Sequence, residues 1–261
     1  MVGISKYIKR PRIHFGKLWN KIKGFDRKKF MGLASAFKDK KGLEIGGPSP
    51  IFLGKGYLPV YTLASQVDGV NFSNSTVWEG EIAEGNTYQY ADGHTGWQYI
   101  CEGNDLRTIG DNSYDFVLSS HNLEHYANPM KAIAEWHRVL KPGGALLMIL
   151  PDRRFTFDHR RSYTGFDHLL EDYKNNTGED DLTHLEEILE KHDRYMDPPS
   201  ADAEFFRARS LKNIENRCLH HHVFNTGFLN RMLDHFDFKL VYADHAPPYH
   251  VIVRGQKKTD V

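Results

Sequence analysis

The chain has 261 residues, of which 40% are hydrophobic, and its 34 basic and 34 acidic residues cancel in net charge. This length and core content suit one large α/β domain, or one domain with an appendage. Two cysteines, Cys101 and Cys218, exclude a disulfide scaffold and favour free thiols in a reducing cytoplasm. No apolar run is long enough to span a bilayer, and the basic N-terminus lacks the unbroken apolar core of a signal peptide.

The charge is distributed unevenly along the chain. Residues 1–41 form a basic N-terminal extension with 13 basic and two acidic residues, or +11, which leaves −11 for the remainder. Its basic residues alternate with large apolar ones, which fits a helical cap on the domain. The same pattern fits a segment attracted to anionic lipid or to a polyanionic substrate, in which case residues 1–30 would contact the inner face of the membrane. Without an aromatic stacking platform we expect no nucleic-acid partner.

The first predicted strand and its loop are Gly42–Pro50, with the sequence GLEIGGPSP. Glycine lets the backbone approach a ligand where a side chain would collide, and ligands of open α/β sheets bind beyond the strand ends. The loop is not G-x-G-x-x-G, which argues against a dinucleotide site. Leu58–Leu63 is predicted to be the second strand, and Trp97–Cys101 the third, followed by the polar turn Glu102–Asp105.

Ser113–Asp152 reads as one strand–helix–strand unit, SYDFVLSSHNLEHYANPMKAIAEWHRVLKPGGALLMILPD. Tyr114–Ser119 and Ala145–Leu150 are continuous apolar runs typical of buried strands. Pro129 suits the first turn of the intervening helix, and the Lys141–Gly144 segment ends it. Two such strands bridged by a helix make a parallel βαβ unit.

Residues 153–218 exceed what a connection and one helix require, which predicts a helical insertion. It opens with a charged cluster at a strand's carboxyl end, which suggests binding of a polar or anionic substrate. The cluster comprises Arg153, Arg154, Asp158, His159, Arg160 and Arg161.

Three consecutive histidines, His220–His222, follow the insertion. They cannot all point at one metal from a regular element, and no cysteine or carboxylate stands at zinc spacing from them, so we expect no metal. Substrate binding, proton transfer and packing remain open for them. Lys239–Ala243 and His250–Val253 are predicted to be the last two strands.

The 113–152 unit, with its LEH and LKPGG segments, resembles strands four and five of class I S-adenosylmethionine-dependent methyltransferases. Glu44, Gly46 and Gly47 match the acidic and glycine positions of that family's first loop. The resemblance is to the small-molecule branch, and the pattern LEIGGPSP…LSSH.LEH…DHRR…HHH is similar to enzymes of bacterial surface-glycan biosynthesis. It implies a Rossmann-like seven-stranded sheet with six parallel strands, an antiparallel last strand and helices on both faces, over residues 42–255.

The resemblance also implies S-adenosylmethionine as cofactor and assigns residues to it. Glu44 would receive the cofactor's α-ammonium group, Asp68 the ribose hydroxyls and Glu102, with Asn104 or Asp105, the adenine amino group. The cofactor-binding residues implied are Glu44, Gly46, Gly47, Asp68, Glu102, Gly103, Asn104, Ser119 and His121.

Methyl transfer needs a base only if the acceptor is a hydroxyl, and histidine has a suitable pKa. His121, on the loop after strand four, and His159 are the predicted catalytic bases. The acceptor is expected to be a hydroxyl on a polar or anionic molecule, such as a sugar of a surface glycan. Its predicted binding residues are His125, Arg154, Asp158, Arg160, His221 and His222.

Two other classes remain open from sequence. The missing third glycine and the uncertain ribose acid allow a non-catalytic, S-adenosylmethionine-binding regulator on the same fold. A nicotinamide-dependent oxidoreductase would need a phosphate-cradling glycine loop, which the sequence lacks.

Overall fold

A computed structural model describes residues 27–259 and contains one large β-sheet and a two-stranded hairpin. The large sheet comprises β1 (Lys41–Ile45), β2 (Gln66–Asn71), β5 (Gly85–Ala91), β6 (His94–Ile100), β7 (Tyr114–Ser120), β8 (Leu140–Pro151), β9 (Phe238–Ala246) and β10 (His250–Lys257). The hairpin comprises β3 (Ser75–Thr76) and β4 (Gly80–Glu81).

The spatial order of the large sheet is β5-β6-β2-β1-β7-β8-β10-β9. Strands β6, β2, β1, β7 and β8 pair in parallel, whereas β10 is antiparallel to both β8 and β9. Because β9 is antiparallel to β10, it runs in the same direction as those five strands. Six strands thus share one direction and β10 opposes them, which confirms the predicted Rossmann-like sheet. The addition is β5, an eighth strand that pairs antiparallel with β6 at the sheet edge.

Seven α-helices lie among the described residues: α1 (Arg27–Ser35), α2 (Pro129–Val139), α3 (Phe166–Asn175), α4 (Leu185–Lys191), α5 (Ala203–Leu211), α6 (Asn213–Asn216) and α7 (Thr226–His235). One sheet face is covered by α2, α3 and α7, whose buried side chains share a core with β1, β7 and β8. The other face is covered by α1 and the buried loop that contains Phe52 and Leu58. Both sheet faces are therefore buried, as an all-parallel sheet centre requires.

Helix α2 begins where the sequence predicts. Pro129 is its first residue, and the side chain of Asn128 accepts a hydrogen bond from Lys131 N at 3.0 Å, which caps the helix. The helix ends at Val139, and the LKPGG segment already belongs to β8, with Gly143 at a φ of +74°.

The prediction of the second strand at Leu58–Leu63 is wrong. That segment forms turns, and Leu58, Val60 and Tyr61 reach the core from them. An apolar run reports burial rather than strand geometry, and Pro59 cannot donate a ladder hydrogen bond. The strand is Gln66–Asn71 instead, where a buried Asp68 interrupts the apolar pattern.

Helix α1, within the predicted N-terminal extension, packs on the domain. Phe30, Ala34 and Phe37 are buried against the sheet, and Lys29 Nζ pairs with Asp244 at 2.6 Å. Residues 27–41 thus belong to the packed domain. The rest of the basic extension, with most of the predicted lipid-contacting segment 1–30, lies outside the described residues.

The insertion at 153–218 is helical, as predicted, but its own core is small. That core consists of Leu185, Ile188, Phe206 and Leu219, with two partly buried leucines. Helix α3 belongs instead to the large core, through Phe166 and Leu169. In residues 27–259 no helix combines the length and apolarity needed to cross a membrane.

Candidate active site

A cavity of about 1110 Å³ opens at the carboxyl ends of the parallel strands. Ile45, Asn71, Ser120 and Pro151 mark the ends of β1, β2, β7 and β8 on its wall. The insertion contributes Met196 and Arg217, and His220 lies just after it. The cavity therefore occupies the edge at which open α/β sheets bind ligands.

The glycine loop after β1 forms one wall through Ile45, Gly46 and residues 48–51, whereas Gly47, predicted to bind the cofactor, does not line the cavity. Gly46 has a φ of +75°, and a Cβ there would lie 2.4 Å from Asn122 Nδ2. At Gly47 a Cβ would lie 2.3 Å from both the Glu44 carboxyl carbon and Tyr88 Oη. Only glycine fits either position, which explains the paired glycines and brings bare backbone to the cavity surface at Gly46.

Glu44 does not line the cavity but lies completely buried beneath the glycine loop. Its carboxylate accepts hydrogen bonds from Ser49 N at 3.1 Å, Tyr88 Oη at 2.7 Å and Tyr61 Oη. Burial raises the pKa of Glu44 to about 7, although these three donors oppose the shift. The role that this geometry supports is bracing the loop, rather than direct contact with the cofactor's ammonium group.

Asp68 is also buried away from the cavity, in the middle of β2. It accepts hydrogen bonds from Trp97 N at 2.9 Å and Tyr114 Oη at 2.8 Å, and pairs with Lys41 at 3.0 Å. The polar residue that reaches the cavity from the end of β2 is Asn71, whose Nδ2 donates to Gly47 O at 3.2 Å. Sequence reasoning missed Asn71 because it placed the second strand too early.

The turn after β6 forms a further part of the wall with Glu102 and Gly103. Glu102 is paired with Arg217 of the insertion, and the Arg217 guanidinium lies 5.1 Å from the Phe72 ring centroid. At Gly103 a Cβ would lie 2.0 Å from Tyr126 Oη, so the backbone approaches closely there as well. Asn104 is directed elsewhere, donating to Glu179 Oε1 at 2.9 Å.

His121 lines the cavity where β7 ends. Its φ of +49° is unusual for a bulky residue, and its N–H donates to Ile149 O at 2.7 Å. The Nε2 atom lies 2.9 Å from Nδ1 of His250, a second cavity residue that sequence reasoning did not select. Burial lowers the pKa of His250 to about 4, so its ring is neutral at pH 7. Ser119, one position earlier than the lining residue Ser120, is buried behind the wall.

Glu124 is another cavity residue that the sequence analysis missed. It is 1% exposed, and neither carboxylate oxygen has a hydrogen-bond partner among the described residues. Burial raises its pKa to about 7. His121 Nδ1 lies 3.8 Å from Glu124 Oε1, too far for a hydrogen bond, and a buried carboxyl group without hydrogen bonds is costly unless a ligand completes it.

His220 faces the cavity from the end of the insertion and forms a dyad with Asp158. Its Nδ1 donates to Asp158 Oδ2 at 2.5 Å, because a carboxylate only accepts, and this leaves Nε2 as the ring's second nitrogen. Burial alone would lower the pKa of His220, but Asp158 outweighs it and raises the pKa. Burial likewise opposes ionisation of Asp158, but His220 and Arg161 lower its pKa to about 2.

His125 stands beside this dyad, with its ring centroid 4.6 Å from that of His220. Its Nδ1 donates to Leu219 O at 3.0 Å, and burial lowers its pKa well below the ordinary value. One ligand atom each from Glu124, His125 and His220 lie within 4.8 Å of one another, so this group could also hold a cation. We refer to His121, His125, His220 and His250, with Glu124, as the histidine wall.

The other predicted catalytic and substrate residues lie away from the cavity wall. His159 Nε2 is 2.9 Å from Asp193, to which Arg160 is also bound. Arg154 is paired with Asp152 and contacts His245. Asp158 reaches the cavity only through His220. The fold of the insertion thus directs His159, a predicted catalytic base, to Asp193 and away from the cavity.

His221 and His222 are fully buried, and neither lines the cavity. His221 Nε2 bonds Asn213 at 3.0 Å, and His222 Nε2 donates to Ala127 O at 3.1 Å. Burial lowers the pKa of both imidazoles, to about 3 for His221. Of the three consecutive histidines, only His220 is directed to the cavity.

Available sequence signals pointed to some of the missed residues. Glu124 belongs to the LEH segment that carried the resemblance, and His220 opens the triplet. Asn71 ends the run VDGVN, where a carboxyl-end polar residue is expected once β2 is placed correctly. Nothing in the sequence indicates His250, which reaches the cavity through the pairing of β10 with β8.

The cavity fits the size and chemistry of S-adenosylmethionine. Its volume exceeds the range of roughly 300–1000 Å³ usual for small-molecule sites, which leaves room for an acceptor beside a cofactor. The backbone at Gly46 and Gly103 is bare because no Cβ fits there. Asn71, Glu102 and Phe72 would offer polar and aromatic contacts to a nucleoside, while Gly46 and Ser120 would border its amino-acid portion.

A family model described as "Methyltransferase domain" matches residues 54–148. No curated protein matches the chain. A solved S-adenosylmethionine-dependent methyltransferase from Mesorhizobium loti has 12% identity and a TM-score of 0.50, over 90% of this chain and 99% of that one. At this identity the likeness concerns the fold alone.

Two further solved structures have lower TM-scores. A methyltransferase from Aquifex aeolicus shares 13% identity, with a TM-score of 0.47, over 91% of this chain and 92% of that one. A possible histamine N-methyltransferase from Thermotoga maritima shares 18% identity, with a TM-score of 0.45, over 93% and 94%. The domain match over residues 54–148 and the observed strand order together support a class I S-adenosylmethionine-dependent methyltransferase fold, an enzyme fold whose cofactor is S-adenosylmethionine.

Proposed function

We propose that this enzyme methylates a hydroxyl group on a polar or anionic acceptor, such as a sugar of a bacterial surface glycan. The observation that carries the proposal is the His220–Asp158 dyad on the cavity wall. A hydroxyl is a poor nucleophile until it loses its proton, whereas an amine or thiolate needs no such base. A buried histidine oriented by a carboxylate is the arrangement suited to that task.

The proposed reaction consists of one methyl transfer and one proton transfer. S-adenosylmethionine, when bound, supplies an electrophilic methyl group on a sulfonium and leaves as a neutral thioether. The acceptor oxygen forms the new O–C bond with its own electron pair and gives its proton to His220 Nε2. Asp158 stabilises the resulting imidazolium through Nδ1–H and holds the ring in position.

Glu124 and the His121–His250 pair support a polar acceptor. Both Glu124 oxygens are buried without hydrogen-bond partners among the described residues, so an acceptor hydroxyl group would complete them. His121 and His250 add ring nitrogens to the same wall. A molecule that presents several hydroxyl groups, as a sugar does, matches this set better than an apolar acceptor.

The glycan context rests on the sequence pattern, and the anionic character of the acceptor on the charged residues that open the insertion. Arg154 and Arg160 are about half exposed but already paired with Asp152 and Asp193. Neutral and anionic sugars should therefore both be assayed, since the wall itself favours hydroxyl groups rather than one charge.

The test measures methyl transfer from radiolabelled S-adenosylmethionine to a panel of neutral hexoses, uronic acids and sugar phosphates. His220→Ala should lower turnover by about 10²–10⁴, because the base is lost, while S-adenosylmethionine affinity stays within a few-fold. His245→Ala is the matched control: His245 Nδ1 also contacts an aspartate, Asp152, at 2.9 Å, but outside the cavity. Normal turnover by His220→Ala, or methylation of amines alone, would reject O-methylation through this dyad.

The basic extension is proposed to bring the enzyme to anionic membrane or anionic acceptor. Its charge of +11 over residues 1–41 motivates this role. Removal of residues 1–26 retains helix α1 and should weaken sedimentation with phosphatidylserine vesicles in a salt-dependent manner. Equal sedimentation of both proteins at low salt would contradict it.

A further inference from the structure

A second group of histidines converges outside the catalytic cavity, where the insertion meets the large core. His168 lies on α3, His184 directly precedes α4, and His222 follows the insertion. One ligand atom from each of them lies within 4.8 Å of those of the other two. None of the three lines the cavity, so the group is separate from the proposed acceptor site.

The distances between the side-chain atoms of this group are close to those between the ligands of a bound metal ion. His168 Nε2 lies 3.0 Å from His184 Nε2, and Asp172 Oδ2 lies 3.2 Å from His168 Nε2 and 3.7 Å from His222 Nε2. Ligands about 2.0–2.2 Å from a tetrahedral zinc ion are roughly 3.3–3.5 Å from one another. Small side-chain rotations would therefore bring the ligand atoms of His168, His184 and Asp172 to coordination distance from one ion.

Asp172 is directed into the cluster by its surroundings. It stands four residues after His168, on the same face of α3. Its Oδ1 accepts a hydrogen bond from Thr177 Oγ1 at 3.1 Å, whereas the buried Oδ2 has no hydrogen-bond partner among residues 27–259. A hydrogen bond from a neighbouring residue to one carboxylate oxygen is a common means of orienting a metal ligand.

His222 also lacks a complete set of partners. Its Nε2 contacts the Ala127 carbonyl, and its Nδ1 is buried without a hydrogen-bond partner in the described part of the chain. Because Nε2 carries the proton that Ala127 O accepts, Nδ1 keeps an unshared lone pair, and it is the His222 atom through which an ion would bind. Buried polar atoms of this kind call for a ligand, an ion or a water molecule.

We propose that His168, His184, His222 and Asp172 bind one zinc ion that fastens the insertion to the methyltransferase core. Three imidazoles and one carboxylate are a ligand set that zinc accepts in tetrahedral sites. The sequence argument against a metal considered only the three consecutive histidines, of which one takes part. The other ligands come from segments 38 and 54 residues away along the chain.

The position of the ion explains why such a link is useful. His168 stands between Phe166 and Leu169 of the large core, whereas His184 adjoins Leu185 of the insertion's small core. Four buried side chains supply little hydrophobic stabilisation to the insertion. A metal ion that joins the two cores would stabilise the segment that carries Met196, Arg217 and His220 to the cavity.

The experiment measures metal content and thermal stability of the full chain, purified without chelator and dialysed against metal-free buffer. Elemental mass spectrometry should find one zinc ion per protein chain. Removal of zinc with a chelator should lower the melting temperature by roughly 5–10 °C, and added zinc chloride should restore it. A chain free of zinc whose melting temperature is unchanged by zinc chloride would overturn the proposal and leave a hydrogen-bonded histidine cluster.

Variants locate the ion without an activity assay. His184→Ala and His168→Ala should lose the zinc and its stabilisation, with circular dichroism confirming that they fold. His159→Ala is the matched control, since His159 and His168 have similar exposure and each contacts one aspartate, at 2.9 and 3.2 Å. If His184→Ala misfolds, His168→Gln gives the same comparison with a smaller change of volume.

The cavity group is the other place at which zinc could bind. His220→Ala should therefore retain one zinc per chain. Loss of zinc in His220→Ala, with retention in His184→Ala, would assign the ion to Glu124, His125 and His220 and overturn the proposal. Zinc content and melting temperature do not depend on methyl transfer, so these results test the zinc site independently of the proposed acceptor chemistry.

Discussion

The glycine loop and the histidine wall line the same cavity, but the buried carboxyl groups of the two regions differ in hydrogen bonding. Beneath the loop, the Glu44 carboxylate accepts hydrogen bonds from three donors and never reaches the cavity. On the wall, the Glu124 carboxylate reaches the cavity and has no hydrogen-bond partner in the described part of the chain. The protein thus satisfies its own polar groups where the surface must be rigid and leaves them open where a substrate can satisfy them.

The largest expected effect comes from filling the loop. Gly46→Val should abolish S-adenosylmethionine binding, expected in the micromolar range or about −8 kcal/mol, because its side chain meets Asn122 at a φ of +75°. Gly93→Val is the control, since Gly93 has a φ of +73° with open space around it. Calorimetric titration measures the S-adenosylmethionine affinity of both variants. Undiminished binding by Gly46→Val would mean that the loop does not hold the cofactor.

On the histidine wall, Asp158→Asn should lower turnover by about 10²–10³ while leaving S-adenosylmethionine affinity within a few-fold. Asparagine keeps the size but cannot stabilise an imidazolium at His220. Asp193→Asn, which alters the His159 pair outside the cavity, is the comparison. Turnover and KM of both variants should be measured with one methylated acceptor. An equal loss in both would indicate that these pairs matter for folding and not for proton transfer.

A smaller effect should appear in the pH dependence of stability at Glu44. Its folded pKa of about 7 exceeds the unfolded value of 4.5, so the wild type loses stability as pH rises between these values. Glutamine does not titrate. Between pH 4.5 and 8 the stability of the wild type relative to Glu44→Gln should fall by up to about 3 kcal/mol.

Urea unfolding of both proteins at a series of pH values measures this difference. Glu204→Gln, at an exposed position of α5, is the control for the replacement of a glutamate by glutamine. A constant difference between wild type and Glu44→Gln would mean that the three donors keep Glu44 ionised in the folded protein, in sharper contrast to Glu124.

The parts of the fold carried by local patterns were predictable. Continuous apolar runs identified β7 and β8, and Pro129 located the start of α2. The resemblance placed these elements in a methyltransferase sheet, which the strand order confirms. The strand β2 was misplaced because Asp68 breaks its apolar run, and that carboxylate is tolerated only because Lys41, Trp97 and Tyr114 come from other strands to pair with it.

The site divides in the same way. Gly46, Glu102, Gly103, His121 and His125 follow strand ends directly, so their position in the sequence already places them at the cavity, and the structure has all five on its wall. Asn104 and Ser119 stand close to strand ends too, but Asn104 bonds Glu179 and the Ser119 side chain is buried behind the wall. Proximity to a strand end predicts the edge of the sheet and not the direction of each side chain.

The three consecutive histidines show the limit most clearly. Three histidines in a row predict a functional site near the end of the insertion, but they do not indicate which of the three side chains reaches it. Packing does: Asp158 holds His220 toward the cavity, Asn213 holds His221, and Ala127 with Asp172 surrounds His222. Those partners stand 8 to 95 residues from their histidines along the chain, and no pattern within the three-histidine segment encodes them. Local sequence thus specifies strands, helix ends and glycine turns, because their causes lie within a few residues, whereas the assignment of each histidine to cavity, core or cluster follows from long-range contacts that exist only in the folded chain.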